Sequence, residues 1–185
     1  MNKLNSFGVF ILLASLLSAC STQTRVESDL GIADAPDWVN EGYQALNNDD
    51  GRLFHGVGFA PRMLDASLQR STADTRARAE VAKTLSSYME VVSRDYIASA
   101  GSQENEISQQ SIARKIENIT KLNVSGAVII ARWKDQKSGS VYSLAELNMS
   151  KVQNIVSTAK QMDNSFQQFF ESKSDSLFDQ LISDQ

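Results

Sequence analysis

The chain predicts an α+β fold: a small antiparallel sheet packed by a long helix, in the order β-α-α-β-β-α, with an extended C-terminal helix. Three observations carry this. Arg52 to Ala60 alternates in the manner of a strand and places two glycines on one face. Ala66 to Ser99 runs without Gly or Pro and holds small and apolar residues at helical spacing. Leu122 to Lys134 and Val141 to Met149 are two strand-like segments joined by a polar, Gly-containing turn.

Taken in order, Pro36-Asp37-Trp38-Val39 marks entry into the fold, with Trp38 packing onto it. Asn47-Asn48-Asp49-Asp50-Gly51 is a turn by composition. Its oxygens invite a calcium-loop reading, but no ligand spacing continues and no Glu closes the set. In the first strand Leu53, His55, Val57 and Phe59 alternate with Phe54, Gly56, Gly58 and Ala60. Glycines on one face imply a very close neighbour, most simply the helix that follows. Gly56-Val57-Gly58 lacks the third glycine and the ribose-binding acid of a dinucleotide fingerprint.

The helix stripe is traced through Leu68, Thr72, Thr75, Ala79, Ala82, Met89, Val92 and Tyr96. Asp74–Arg78, Arg76–Glu80 and Glu90–Arg94 are opposite charges four apart, as on a solvated face. That interleaving favours a solvated face over an acidic-partner site for Arg70, Arg76 and Arg78. A bend around Gly101 and a shorter helix through Ile112, Ile116 and Ile119 follow. Asp135 to Ser140 then turns the strand pair into a hairpin. Ser150 opens the last helix, with Gln153 at the capping-box position. Val152, Ile155, Ala159, Met162, Phe166, Phe169 and Phe170 form its stripe, and Leu177, Phe178 and Leu181 resume it. The rings of Phe166, Phe169, Phe170 and Phe178 are either core or a surface for a partner or a second copy.

Composition narrows the function. A net charge of −4 supplies no basic surface for phosphates, so no nucleic-acid partner is expected. One Cys forms no internal disulfide, and one His leaves few routes to a transition-metal site. His55 has no nucleophile signature beside it and reads as a half-buried structural residue. Asp49 and Asp50 face no second acid that could be placed opposite them. The chain is therefore read as a non-enzyme, with no cofactor and no metal.

The lone cysteine has an informative position. Residues 1–19 read as a signal peptide: Lys3 is the only charge, and Phe7 to Leu17 is apolar or small. At ~1.5 Å per residue that run is too short for a bilayer core of ~30 Å. Leu17-Ser18-Ala19-Cys20 resembles the bacterial lipobox, which implies cleavage before Cys20 and its acylation, palmitate included. Ser21 in place of Asp favours the outer membrane, with the periplasmic or surface face left open. Residues 20–35 are then lipid anchor and flexible tether, 36–150 the α+β domain, and 151–185 a C-terminal amphipathic helix.

Four stretches stand out together: Pro36-Asp37-Trp38, His55-Gly56-Val57-Gly58, Ala77-Arg78-Ala79-Glu80-Val81-Ala82 and Val141-Tyr142-Ser143-Leu144-Ala145-Glu146-Leu147. Through them the domain resembles the LPP-twenty family of bacterial outer-membrane lipoproteins. FlgP-like flagellar lipoproteins are a related member type. The resemblance implies a compact α+β domain without enzymatic activity. The expected role is a structural or interaction component of the cell envelope, in a flagellar or other assembly. Its partners would be the membrane through Cys20, envelope proteins and a second copy of itself. The alternative is a periplasmic binding module for a small molecule or peptidoglycan, which requires a concave polar pocket.

Overall fold

The computed structural model describes residues 31–46, 52–100, 114–118, 121, 126–160, 162 and 164–183. The signal segment, Cys20, the 47–51 turn and the bend at Gly101 lie outside the described residues. A helical turn at Asp37–Asn40 and a 3-10 turn at Gly42–Ala45 lead into strand β1, Leu53–Ala60. Helix α1 spans Ala66–Ala100, strand β2 Val128–Lys134 and strand β3 Val141–Asn148. Helices α2, Met149–Thr158, and α3, Asn164–Ser183, close the chain. Residues 114–118 are also helical, with Ile116 buried, while Ile112 and Ile119 lie outside the described residues.

The predicted α+β architecture is the observed one: a three-stranded antiparallel sheet in the order β1-β3-β2. The hairpin β2–β3 forms as expected, and β1 returns to the far side of β3. Register then sorts side chains by face, because they alternate along each strand. Phe54, Gly56, Gly58 and Ala60 pair with Leu147, Ala145, Ser143 and Val141, and this face meets α1. Ile130 is an extra residue in β2, since Ile129 pairs with Ala145 and Ala131 with Leu144. This bulge keeps Ile129 and Arg132 on the helix side.

The glycines do what their placement implies. A Cβ on Gly58 would fall inside van der Waals distance of the Ala77 nitrogen and the Ala73 oxygen. One on Gly56 would lie 2.6 Å from the Val81 nitrogen. Helix backbone therefore rests on strand backbone, an approach that only residues without Cβ permit.

This contact corrects the predicted helix stripe. The buried line is Gln69, Ala73, Ala77, Val81, Leu85, Tyr88, Met89, Val92 and Tyr96, whereas Leu68 is 56% exposed and Thr75 and Ala79 face water. The expected first half, Leu68, Thr72, Thr75, Ala79 and Ala82, lies one or two residues off the buried line. Small residues do face the glycines as expected, but they are Ala73 and Ala77.

The C-terminal helical region is divided in two and its start is corrected. Asn148 is the N-cap of α2, its side chain accepting from Ser150 N at 2.8 Å; Ser150 is not the cap. Gln153 reaches across to Ser174 and Asp175 instead of closing a capping box. The α2 C-terminus ends near Ala159, where Gln167 Nε2 donates to the carbonyls of Val156, Ser157 and Ala159. The Val156 and Ala159 carbonyls also accept from the Ala159 and Met162 nitrogens, so the amide adds a side-chain cap to the exposed acceptors of a helix end. The chain doubles back, and α3 packs on α1. One hydrophobic cluster runs from Phe54 and α1 through Leu147, Val152 and Val156 to Phe166, Phe170 and Phe178.

Gly58→Ala tests the close approach. Overfilling a packed contact costs typically about 1–3 kcal/mol, and the rigid backbone on both sides places this one at ~3 kcal/mol or more. Thr75→Ala, on the exposed side of α1, stays within ~0.5 kcal/mol of wild type. Urea unfolding followed by circular dichroism measures both.

Candidate functional site

Of the residues singled out in the sequence, Cys20 lies outside the described residues. The four phenylalanines are resolved, and they are core: the partner-surface reading of them is corrected. Phe166, Phe170 and Phe178 are buried, and Phe169 is half-buried against the same cluster. Phe178 meets Phe54 edge-on, with centroids 5.0 Å apart. Phe166 and Phe169 flank Tyr96 at 5.2 and 5.4 Å. They are buried because α3 turns this face onto α1 and the end of β1. A helix projecting from the domain would have exposed them.

Polar contacts hold α3 in that place. Tyr88, fully buried, donates its hydroxyl to the Ser174 carbonyl at 2.8 Å, and burial pushes its phenol pKa up. Arg52, just before β1, donates to both carboxylate oxygens of Asp179 at 2.8 Å and to Asp175 at 3.0 Å. The paired guanidinium holds Asp179 below the usual carboxylate range. Such bidentate geometry fixes orientation, although an exposed pair contributes little free energy.

His55 is more deeply buried than expected, 6% exposed, on the sheet face away from α1. Its Nε2 lies 3.2 Å from Glu146 Oε2 on the paired residue of β3. The ring is thus engaged across two strands.

A second polar node joins helix to sheet. Asp74 receives two hydrogen bonds from Arg132, at 2.8 and 2.7 Å, and one from the Ser143 hydroxyl at 2.7 Å. Chiefly through Arg132, its carboxyl is held below the usual carboxylate range. Periodicity had paired Asp74 with Arg78 and Arg76 with Glu80. Instead Arg78 donates to the Ala127 carbonyl and Arg76 to the Phe59 carbonyl, while Glu90–Arg94 forms as predicted.

The face opposite α1 carries a row of aromatic rings, one from each strand. Phe59 and Tyr142 have centroids 5.2 Å apart, and Tyr142 and Trp133 5.7 Å apart. Register places this row one residue in from the end of the sheet, where Ala60, Val141 and Lys134 align. Sequence patterning read these rings as ordinary strand residues; their alignment depends on the β3-centred register.

A cavity of about 280 Å³ lies between α2 and α3, lined by Gln153, Asn154, Ser157, Gln167, Phe170 and Glu171 among others. Its Gln153 and Gln167 amides are engaged by Ser174, Asp175 and the end of α2. The volume falls just below the range of ligand pockets, and these two amides are already engaged within the protein. Among the described residues no group of three or more His, Cys, Asp or Glu side chains could hold a metal ion. No described helix is long and apolar enough to cross a membrane.

No family model matches the chain, and no curated protein does.

Phe178→Ala, read as core, lowers stability by ~3–5 kcal/mol. A surface phenylalanine would leave the urea midpoint unchanged. Asp74→Asn costs about 2 kcal/mol at neutral pH, since it removes the charge-assisted bonds to Arg132. The Asp74 carboxyl is depressed in the folded state, so the unfolded chain takes up the proton first. Its contribution is complete above the unfolded carboxylate value and fades as pH falls through the folded one. The gap between wild type and Asp74→Asn therefore closes in acid, which urea titrations at a series of pH values measure.

Proposed function

We propose that this protein is a non-catalytic lipoprotein of the bacterial outer membrane, acylated at Cys20, that presents its α+β domain to an envelope assembly. The carrying observation is the single cysteine at the end of Leu17-Ser18-Ala19-Cys20, directly after an apolar run too short to span. One acyl chain gives marginal attachment, and several make it stable. The domain that follows supports the reading in a second way. Several of its polar groups are engaged within the fold: Asp74 with Arg132 between α1 and β2, Arg52 with Asp179 between the start of β1 and α3, Gln153 with Ser174 between α2 and α3, and His55 with Glu146 between β1 and β3.

The motifs behind the LPP-twenty resemblance have a clear structural meaning here. Gly56 and Gly58 are the contact points for Ala73 and Ala77, and Val141 to Leu147 is the central strand. They support a shared scaffold, while the role within an assembly rests on the anchor. A flagellar or another envelope assembly is the proposed setting.

Metabolic labelling with an alkyne fatty acid tests the anchor. The wild-type chain takes up label and fractionates with the outer membrane, and Cys20→Ser carries none. Equal labelling of the two, or wild type recovered in the soluble fraction, overturns it. Deleting the gene then separates the settings: lost motility with an intact envelope assigns a flagellar assembly, and detergent sensitivity with normal motility a general one.

A further inference from the structure

At the end of the sheet where β1 meets α1, two leucines stand in water. Leu64, in the loop before α1, is 108% exposed, and Leu68, in the first turn of α1, is 56% exposed. Solvated single hydrophobes are common, but these two are held on a rigid frame. Gln69, 4% exposed, donates from Nε2 to the carbonyls of Pro61 and Gly139 at 2.8 and 2.9 Å. That one amide ties the loop after β1, the first turn of α1 and the β2–β3 turn together. Asp65 caps the helix by accepting from the Ser67 and Leu68 nitrogens at 2.7 and 3.0 Å. Met63 beside them turns inward, onto Ala60, Ala73 and Val141. The exposure of Leu64 and Leu68 therefore belongs to the folded shape.

Charge at this end runs against that of the whole chain. Arg62, Arg70, Arg76, Lys134 and Lys137 are all exposed here, and the Arg62 side chain lies over Gly139 in the hairpin turn. The nearby carboxylates are few and occupied. Asp65 caps α1, Asp135 accepts from the Lys137 and Ser138 nitrogens, and Asp74 is neutralised by Arg132. A local cation excess thus sits on a chain of net charge −4. The row Phe59–Tyr142–Trp133 lies just behind, with Phe59 40% exposed.

We infer that this end of the domain docks on an anionic lipid surface, with Leu64 and Leu68 entering the headgroup–acyl boundary and the surrounding cations meeting phosphates. Two projecting aliphatic side chains ringed by Arg and Lys suit an interface that is apolar beneath and negative above. Tyr142 and Trp133 stand one residue in from this end of the sheet, and rings of this kind collect at the headgroup level. A soluble polyanion would use the cations and leave the leucines without a role. The inference stands apart from acylation at Cys20, because it concerns a surface formed by residues 59–76 and 133–142.

The experiment uses the full chain carrying Cys20→Ser, so that no acyl chain is attached, with one new cysteine bearing an environment-sensitive dye. Leu64→Cys reports the tip, and Ser86→Cys, on the exposed side of α1, is the reference. Both sites are exposed, so neither substitution disturbs the core. With phosphatidylcholine vesicles containing phosphatidylglycerol, the dye at position 64 shifts to the blue while that at 86 stays as in buffer. Arg70→Gln or Lys137→Gln lowers the docked-to-free ratio about fivefold each, the expected worth of one cation at such a surface. Comparing two positions of one chain removes any contribution from insertion elsewhere. No shift at position 64, an equal shift at 64 and 86, or an equal shift with phosphatidylcholine alone overturns the inference. A shift with heparin in the absence of lipid also overturns it and assigns the patch to a soluble polyanion.

Discussion

The approach of α1 to β1 is the constraint on which the rest of the structure depends. Ala73 and Ala77 lie directly over Gly58 and Gly56, with backbone against backbone. At that separation the side chains flanking the contact reach the strands with little freedom. Asp74 meets Arg132 and Ser143, Arg76 meets the Phe59 carbonyl, and Arg78 meets the Ala127 carbonyl. A helix held farther off by larger residues would leave these groups short of their partners. Hydrogen bonds weaken steeply with stretch, so the polar seams along α1 follow from the missing Cβ atoms.

The same contact divides the helix into two packing regimes. Over the glycines the interface is thin and made of small residues. Past Val81 it thickens, with Leu85, Tyr88, Met89, Val92 and Tyr96 all buried. The short sheet cannot cover that half, so α2 and α3 supply the remaining wall. This explains why the phenylalanines of α3 are core, and why Arg52 and Tyr88 each spend a polar group on α3. It also explains the turn near Ala159. A straight continuation of α2 would carry Phe166 and Phe170 away from Tyr96 and Tyr88, and Gln167 donates to the carbonyls at the end of α2 where the chain reverses.

Much of the fold was legible because it is written in local pattern. The alternation of β1, the Gly-free length of α1 and the Asp135–Ser140 turn each show their element without tertiary knowledge. What stayed hidden depends on which element is opposite. The phase of α1 is set by glycines eight or more residues upstream, not by the hydrophobicity of α1 itself. The partner of Asp74 is an arginine in β2, brought near by a hairpin that pairs with β1 only after folding. Asn148 displaced Ser150 as the cap because β3 ends where α2 begins, with no loop between them. Cys20 lies outside the described residues, and its reading rests on its place in the chain.

The misphased stripe and the cationic tip are two sides of one fact. Hydrophobicity alone assigns Leu68 to the core, since it is the largest apolar side chain in the first turn of α1. The glycines of β1 set the phase of α1 through Ala73 and Ala77, and that phase buries Gln69 in place of Leu68; its amide then binds three segments into one rigid end. Leu68 is thereby excluded from the interior by geometry, and Leu64, in the loop that enters α1, is fully exposed beside it. Folding stability gives neither leucine a task, because both are largely in water. The cations beside them come from three stretches of sequence and gather only when Gln69 draws the loop and the hairpin turn together. A surface assembled in this way has no linear signature, which is why charge patterning along α1 reads as an ordinary solvated face.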